Sequence, residues 1–312
     1  MKYILLSALL TLSLLSSAQT TDDHLKKARD FYEQKNYRNA TNFIDLVLAK
    51  DSTNFDGLFM KANILYETKD YQNSFITFSK LIKLYPDQPI PLSQRGLLLR
   101  TVQEFEYSIK DFDRALQLKM DDTLRLSILV NRGAAKISMR EFKGAYQDFT
   151  LAYEIDSLNV GVLNNLAAVC DEIGKGDQTL EYLYRIIKID STIAGTYVNI
   201  GFKYQGMGNH KKAVEFFDKA VSLDPNEPLA YSNRSYNRLK LGDIAGALLD
   251  INKSISLYPE NSYAFRNRAL IYIEQKKTTE ACKDLAKAID LGFTKMYGDE
   301  VETLKSKHCR EN

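Results

Sequence analysis

Asn131, Asn165, Asn199, Asn233 and Asn267 stand 34 residues apart. A fixed period of that length marks a helical solenoid. Each period is one helix–turn–helix unit that cannot bury its apolar face alone, and stacking successive units supplies the core. A polar residue in phase with such a solenoid forms a row along one face. Each primary amide both donates and accepts hydrogen bonds, so a row of them suits the backbone of an extended polypeptide.

The period reaches beyond the asparagines. With position 1 at Thr21, Phe55, Pro89, Leu126, Val160, Ala194, Pro228 and Ser262, position 8 is Ala28, Ala62, Gly96, Gly133, Ala167, Gly201, Ser235 and Ala269. Position 20 is Ala40, Ser74, Ser108, Ala145, Thr179, Ala213, Ala247 and Ala281. All are small and let two helices approach closely. Position 24 is large and apolar throughout: Ile44, Phe78, Phe112, Phe149, Leu183, Phe217, Ile251 and Leu285. Pro86, Pro225 and Pro259 fall at position 32, where a helix must stop.

This pattern resembles the tetratricopeptide repeat family, most completely over Tyr197, Ile200, Gly201, Tyr204, Gly208, Ala213, Phe217, Ala220 and Pro225. The resemblance covers roughly residues 21 to 295. It implies an all-α, right-handed superhelical solenoid of eight helix–turn–helix repeats, with a concave groove lined by the first helix of each pair. The expected organisation is a signal peptide over 1–18, repeats one to three over 21–122, repeats four to eight over 126–295, and a capping helix and tail over 296–312.

Position 6 divides the array. The last five repeats carry the asparagines; the first three carry Lys26, Met60 and Gln94. The spacing breaks at the same place, since Pro89 to Leu126 is 37 residues. Two sub-arrays are expected, with a kink or hinge near Met120 to Arg125. Beside the row, Phe202 and Tyr236 offer shallow apolar pockets for side chains of a bound strand. The row resembles the ladder of asparagines that holds peptide backbone in the superhelix of O-GlcNAc transferase, although the catalytic part of that enzyme has no counterpart here. The two-carboxylate clamp of chaperone-binding members is also missing. Asparagine at this position is common in the family, so both a ligand ladder and hydrogen bonding between repeats remain open.

Position 7 is Arg95, Arg132, Arg234 and Arg268 in four repeats, and position 23 is Asp111, Asp148, Asp250 and Asp284 in the same four. Where position 7 is apolar (Leu166, Ile200), position 23 is aromatic (Tyr182, Phe216). This joint variation points to structural ion pairs between the two helices of a repeat rather than to an anion site.

Residues 1–18 combine Lys2, an apolar run from Tyr3 to Leu15 and Ser16-Ser17-Ala18. They read as a secretory signal peptide with cleavage after Ala18. The run is shorter than the roughly 20 residues that span a bilayer. Export from a bacterial cell is expected, to the periplasm or the extracellular medium, with no membrane insertion of the mature chain. Loss of Lys2 takes the net charge from +2 to +1, which gives no reason to invoke nucleic acid. Of the three cysteines, Cys170 is expected in the core. Cys282 faces the end of the stack, and Tyr297, Val301 and Leu304 share a face of the capping helix, which brings Cys309 back towards Cys282. A disulfide and two free thiols both fit. With its last repeat capped, the solenoid would self-associate through its N-terminal end.

No catalytic residues, metal site or cofactor are expected. The three histidines, His24, His210 and His308, lack metal-ligand spacing. Gly174-Lys175-Gly176 lies where each repeat needs a turn and lacks the spacing of a phosphate loop. The expectation is a non-catalytic scaffold binding an extended protein segment in its groove. The alternative is a structural subunit of an envelope or secretion assembly that binds through its convex face or its ends.

Overall fold

The computed structural model describes residues 20–309. The signal-peptide expectation for 1–18 lies outside them. The described chain is helical with no strand and forms two compact units, one ending at Ile173 and the other beginning at Gly174.

The first unit contains α1 (20–33), α2 (Tyr37–Lys50), α3 (Phe55–Glu67), α4 (Tyr71–Leu84), α5 (Pro89–Thr101), α6 (Phe105–Leu116), α7 (Asp122–Ser138), α8 (Phe142–Ile155) and α9 (Val160–Cys170). The second contains α10 (Gly176–Ile189), α11 (Ala194–Gly206), α12 (His210–Leu223), α13 (Pro228–Lys240), α14 (Ile244–Leu257), α15 (Ser262–Glu274), α16 (Thr278–Asp290), α17 (Phe293–Tyr297) and α18 (Glu300–His308). The boundary falls inside the fifth repeat, between α9 and α10. Within each unit, consecutive helices pack pairwise.

One turn design joins the two helices of a repeat. Position 15 is left-handed every time: Lys35, Lys69, Gln103, Arg140, Gly174, Gly208, Gly242 and Lys276 all have φ between 57° and 82°. The next amide then bonds back five residues, as from Asn36 to Phe31 and from Asp243 to Arg238, at 2.8 and 2.9 Å. This closes the C-terminus of the first helix with a Schellman bond. The same residue caps the second helix: Asn36, Asp70, Asn209 and Asp243 each accept from the amide three residues on. Only three of the eight left-handed residues are glycine, so composition alone does not reveal the turn.

The small and large columns meet where the helices cross. Phe78, Phe112, Phe149 and Phe217 are almost wholly buried, each contributing roughly 1.5–3 kcal/mol of apolar burial. At Gly96, Gly133 and Gly201 a Cβ would come within 2.7, 2.5 and 2.8 Å of the facing Phe112, Phe149 and Phe217 rings. Serines in these columns tie the helices together. Ser74 and Ser108 donate to the carbonyls of Ala62 and Gly96, and Ser235 donates to that of Ala247, at 2.7–2.8 Å.

The break in spacing is taken up as helix. The extra residues lengthen α7 to 17 residues, capped by Asp121. Leu118, Met120 and Leu124 pack there against a cluster containing Phe112, Ala115 and Ile128, so apolar burial spans the position expected to act as a hinge.

The single expected capping helix is two short ones. The chain turns at Gly298, with φ 91°, which separates Tyr297 from Val301 and Leu304. Val301 is fully buried against Phe265, Leu285 and Phe293, with Leu304 beside it. Tyr297 instead meets Tyr263 edge-on and Phe293 at a tilt and is 57% exposed. Cys282 and Cys309 are joined by a disulfide with a Cα–Cα distance of 5.7 Å, and Cys170 is a buried free thiol.

Candidate peptide-binding face

The five asparagines divide between the compact units and have different surroundings. In the first unit, Asn131 donates to the carbonyl of Ser127 in its own helix at 2.9 Å, and Asn165 is half-buried, its side chain without a hydrogen-bond partner among the described residues. In the second unit, Asn199 is exposed and Asn233 half-buried. Neither side chain has a hydrogen-bond partner among the described residues. Asn267 departs from the expected open rung. It is 1% exposed, its Nδ2 donates to the carbonyl and hydroxyl of Ser232, and its Oδ1 accepts from Arg266. Its amide links α15 to α13.

The apolar partners of the row stand where helical geometry puts them. Phe202 follows Asn199 by three residues on α11, and Tyr236 follows Asn233 by three on α13, so each pair shares a face. Phe202 is 57% exposed. Tyr236 has the Lys240 ammonium 5.4 Å and the Arg266 guanidinium 5.5 Å from its ring centre. The first helices of neighbouring repeats touch directly, because Asn237 on α13 donates to Gln205 on α11 at 2.6 Å. Asn237 is fully buried and also bonds His210 at 2.9 Å. It occupies a position filled by Ile64, Leu98 and Ile271 in other repeats, and nothing in the 34-residue pattern marks it.

The arginines are engaged away from this face. Arg95, Arg132, Arg234 and Arg268 each direct Nε and Nη2 at both carboxylate oxygens of Asp111, Asp148, Asp250 and Asp284, over 2.5–3.0 Å. Burial works against the Arg234 charge, but Asp250 and Asp218 more than offset it and hold its pKa above the ordinary guanidinium value. The third nitrogen, Nη1, reaches position 25 of the preceding repeat: Ser79, Asp113, Asp218 and Asn252 in the four cases. Lys61 makes the corresponding bond to Asp45 at 2.9 Å. One guanidinium therefore joins both helices of its repeat and the repeat before. The sequence reading missed this second bond because position 25 varies between carboxylate, amide and hydroxyl.

Stacked antiparallel helix pairs that carry polar and aromatic side chains on their first helices define a helical-repeat scaffold for protein–protein interaction. Models of the tetratricopeptide repeat match residues 56–87, 194–227 and 265–291, which coincide with the second, sixth and eighth repeats. The chain is a tetratricopeptide-repeat protein. No curated protein matches it significantly. Its fold is similar to the C-terminal part of a TPR repeat-containing protein from Cytophaga hutchinsonii, at 17% identity and TM-score 0.60, covering 78% of this chain and 98% of that one. It is also similar to pilF of Pseudomonas aeruginosa, at 14% identity and TM-score 0.57, covering 68% and 96%. YrrB, a TPR protein with an unusual peptide-binding site, aligns at 21% identity and TM-score 0.50, covering 61% and 97%. Among the described residues no helix is long and apolar enough to cross a membrane.

Proposed function

We propose that this chain is an exported, non-catalytic scaffold that binds an extended polypeptide segment on the first-helix face of its second compact unit. The observation that carries the reading is the pair Asn199 and Asn233. Among the described residues neither amide has a side-chain hydrogen-bond partner, and each stands beside an aromatic ring on the same helix face. An amide pair can hold a strand's backbone while Phe202 and Tyr236 take its side chains. YrrB shares the fold and has a peptide-binding site. The Cys282–Cys309 disulfide supports an oxidising compartment outside the cytoplasm.

A photo-crosslinking residue at position 202, with position 249 on α14 as control, tests the reading. Leu249 is 73% exposed. A partner crosslinked from 202 and absent from 249 is expected. Crosslinks from 249 alone would overturn the proposal.

One observation favours assembly through another surface. In the first unit a cleft of about 430 Å³ is lined by Tyr71, Phe75, Ile76, Leu98, Leu99 and Val102, and Ile76 is 55% exposed. If Ile76→Ser and Phe75→Ser abolish partner capture while Asn199→Ala and Asn233→Ala do not, that reading takes precedence.

A further inference from the structure

Glu300 of the C-terminal cap places a carboxylate on the only arginine at position 5 of a repeat, Arg266. The Arg266 side chain is 9% exposed. Its guanidinium lies 5.5 Å from the centre of the Tyr236 ring and 5.4 Å from that of Tyr263. Nη1 donates to Oδ1 of Asn267 at 2.8 Å, and Asn267 is fixed by its bonds to Ser232. The remaining edge, Nε and Nη2, faces the two oxygens of Glu300. A guanidinium flanked by two rings and held by an amide presents a rigid two-donor fork that matches a carboxylate.

Glu300 is a loosely enclosed occupant of that fork. Its side chain is 46% exposed. It opens α18, two residues after the left-handed Gly298. Rotation of this side chain alone would withdraw its carboxylate, since buried Val301 and the disulfide at Cys309 hold α18 against Phe265 and Phe293. Tyr236 connects the fork to the candidate peptide-binding face, because it packs against Arg266 and shares a helix face with Asn233.

We propose that Arg266 is a recognition site for a carboxylate on the bound polypeptide, with Glu300 as a tethered internal competitor. The carboxylate is an Asp or Glu side chain or a free C-terminus. The inference rests on the peptide-binding reading of α11 and α13 and adds an acidic anchor beside it. A tethered competitor lowers apparent affinity by the fraction of time the fork is free. Removing it therefore tightens binding of carboxylate ligands alone.

Fluorescence anisotropy on the disulfide-intact mature chain tests this with three labelled Ala/Ser peptides. One has an internal Glu and an amidated end, one has Gln in its place and an amidated end, and one has Gln and a free C-terminus. E300Q is expected to bind the carboxylate peptides about tenfold more tightly than wild type and the amidated Gln peptide equally. Whichever of the two carboxylate peptides gains identifies the source. Adding R266Q removes the gain. E300S replaces E300Q if the glutamine keeps a bond to Arg266.

Equal binding of all three peptides to E300Q, with or without a lower Tm, would overturn the proposal and leave the peptide-binding reading intact. A carboxylate gain unaffected by Asn199→Ala and Asn233→Ala would sink the amide reading alone. Binding of none of the peptides would end both.

Discussion

Gly133 and Phe149 stand so close that a Cβ on the glycine would lie 2.5 Å from Cε1 of the ring. Here the ring fills the space a Cβ would take. Gly96 and Gly201 also face phenylalanines this closely, whereas Ala167 and Ala269 stand at the same position in the repeats with Leu183 and Leu285. Ala62 packs in one cluster with Phe78, so the close approach belongs to these three repeats and not to every phenylalanine in the column. Gly133→Ala is expected to destabilise the protein by about 1–3 kcal/mol through overpacking. Adding Phe149→Leu should recover part of that loss. A double-mutant cycle in urea checks it, and strict additivity of the two changes would contradict the account.

The buried ion pairs are expected to act on stability. Asp148 is 1% exposed and holds Arg132 and Lys136. Asp148→Ala leaves two cations facing an empty site and should remove about 3 kcal/mol with peptide affinity unchanged. Denaturant melts and anisotropy on the same samples measure both effects. A Tm shift near zero would show that the pair is dispensable.

The turns contain a correctable strain. Arg140 is left-handed at φ 62° in a position where Gly208 and Gly242 occur in other repeats. Arg140→Gly should stabilise the protein by up to about 1 kcal/mol, since an L-residue in this conformation costs roughly 1–2 kcal/mol and glycine's flexibility gives back only part. Gly208→Ala should do the opposite. A lower Tm for Arg140→Gly would show that the arginine side chain matters more than its backbone.

These cases separate what was legible in the sequence from what was not. Positions 8, 20 and 24 showed because packing restricts side-chain size, and size recurs with the period. The Arg–Asp pairs showed because both partners vary together across 16 residues. The left-handed turns did not, because their side chains are solvated and any residue able to bear the strain can stand there. Arg266 and Glu300 did not, because the cap lies outside the period and no second repeat has the pair. The row of asparagines was visible, but Asn267 reads like Asn199 in sequence and differs only through its neighbours Arg266 and Ser232.

The disulfide closes a loop between Cys282 and Cys309, a separation of 27 residues. Its reduction is expected to lower stability by roughly 3–4 kcal/mol in the chain-entropy model, with hydrogen exchange rising first in α18. Unchanged protection of α18 after reduction would show that apolar packing around Val301 suffices.

On the proposed function, Asn199 and Asn233 hold a partner's backbone. The most direct measurement is affinity capture from an extract of the native host with wild type and with Asn199→Ala/Asn233→Ala, alongside the Tm of each. The wild-type partner is expected to be lost from the variant while Tm stays within about 2 °C, because neither amide stabilises the fold. Full retention of that partner by the folded variant would contradict it.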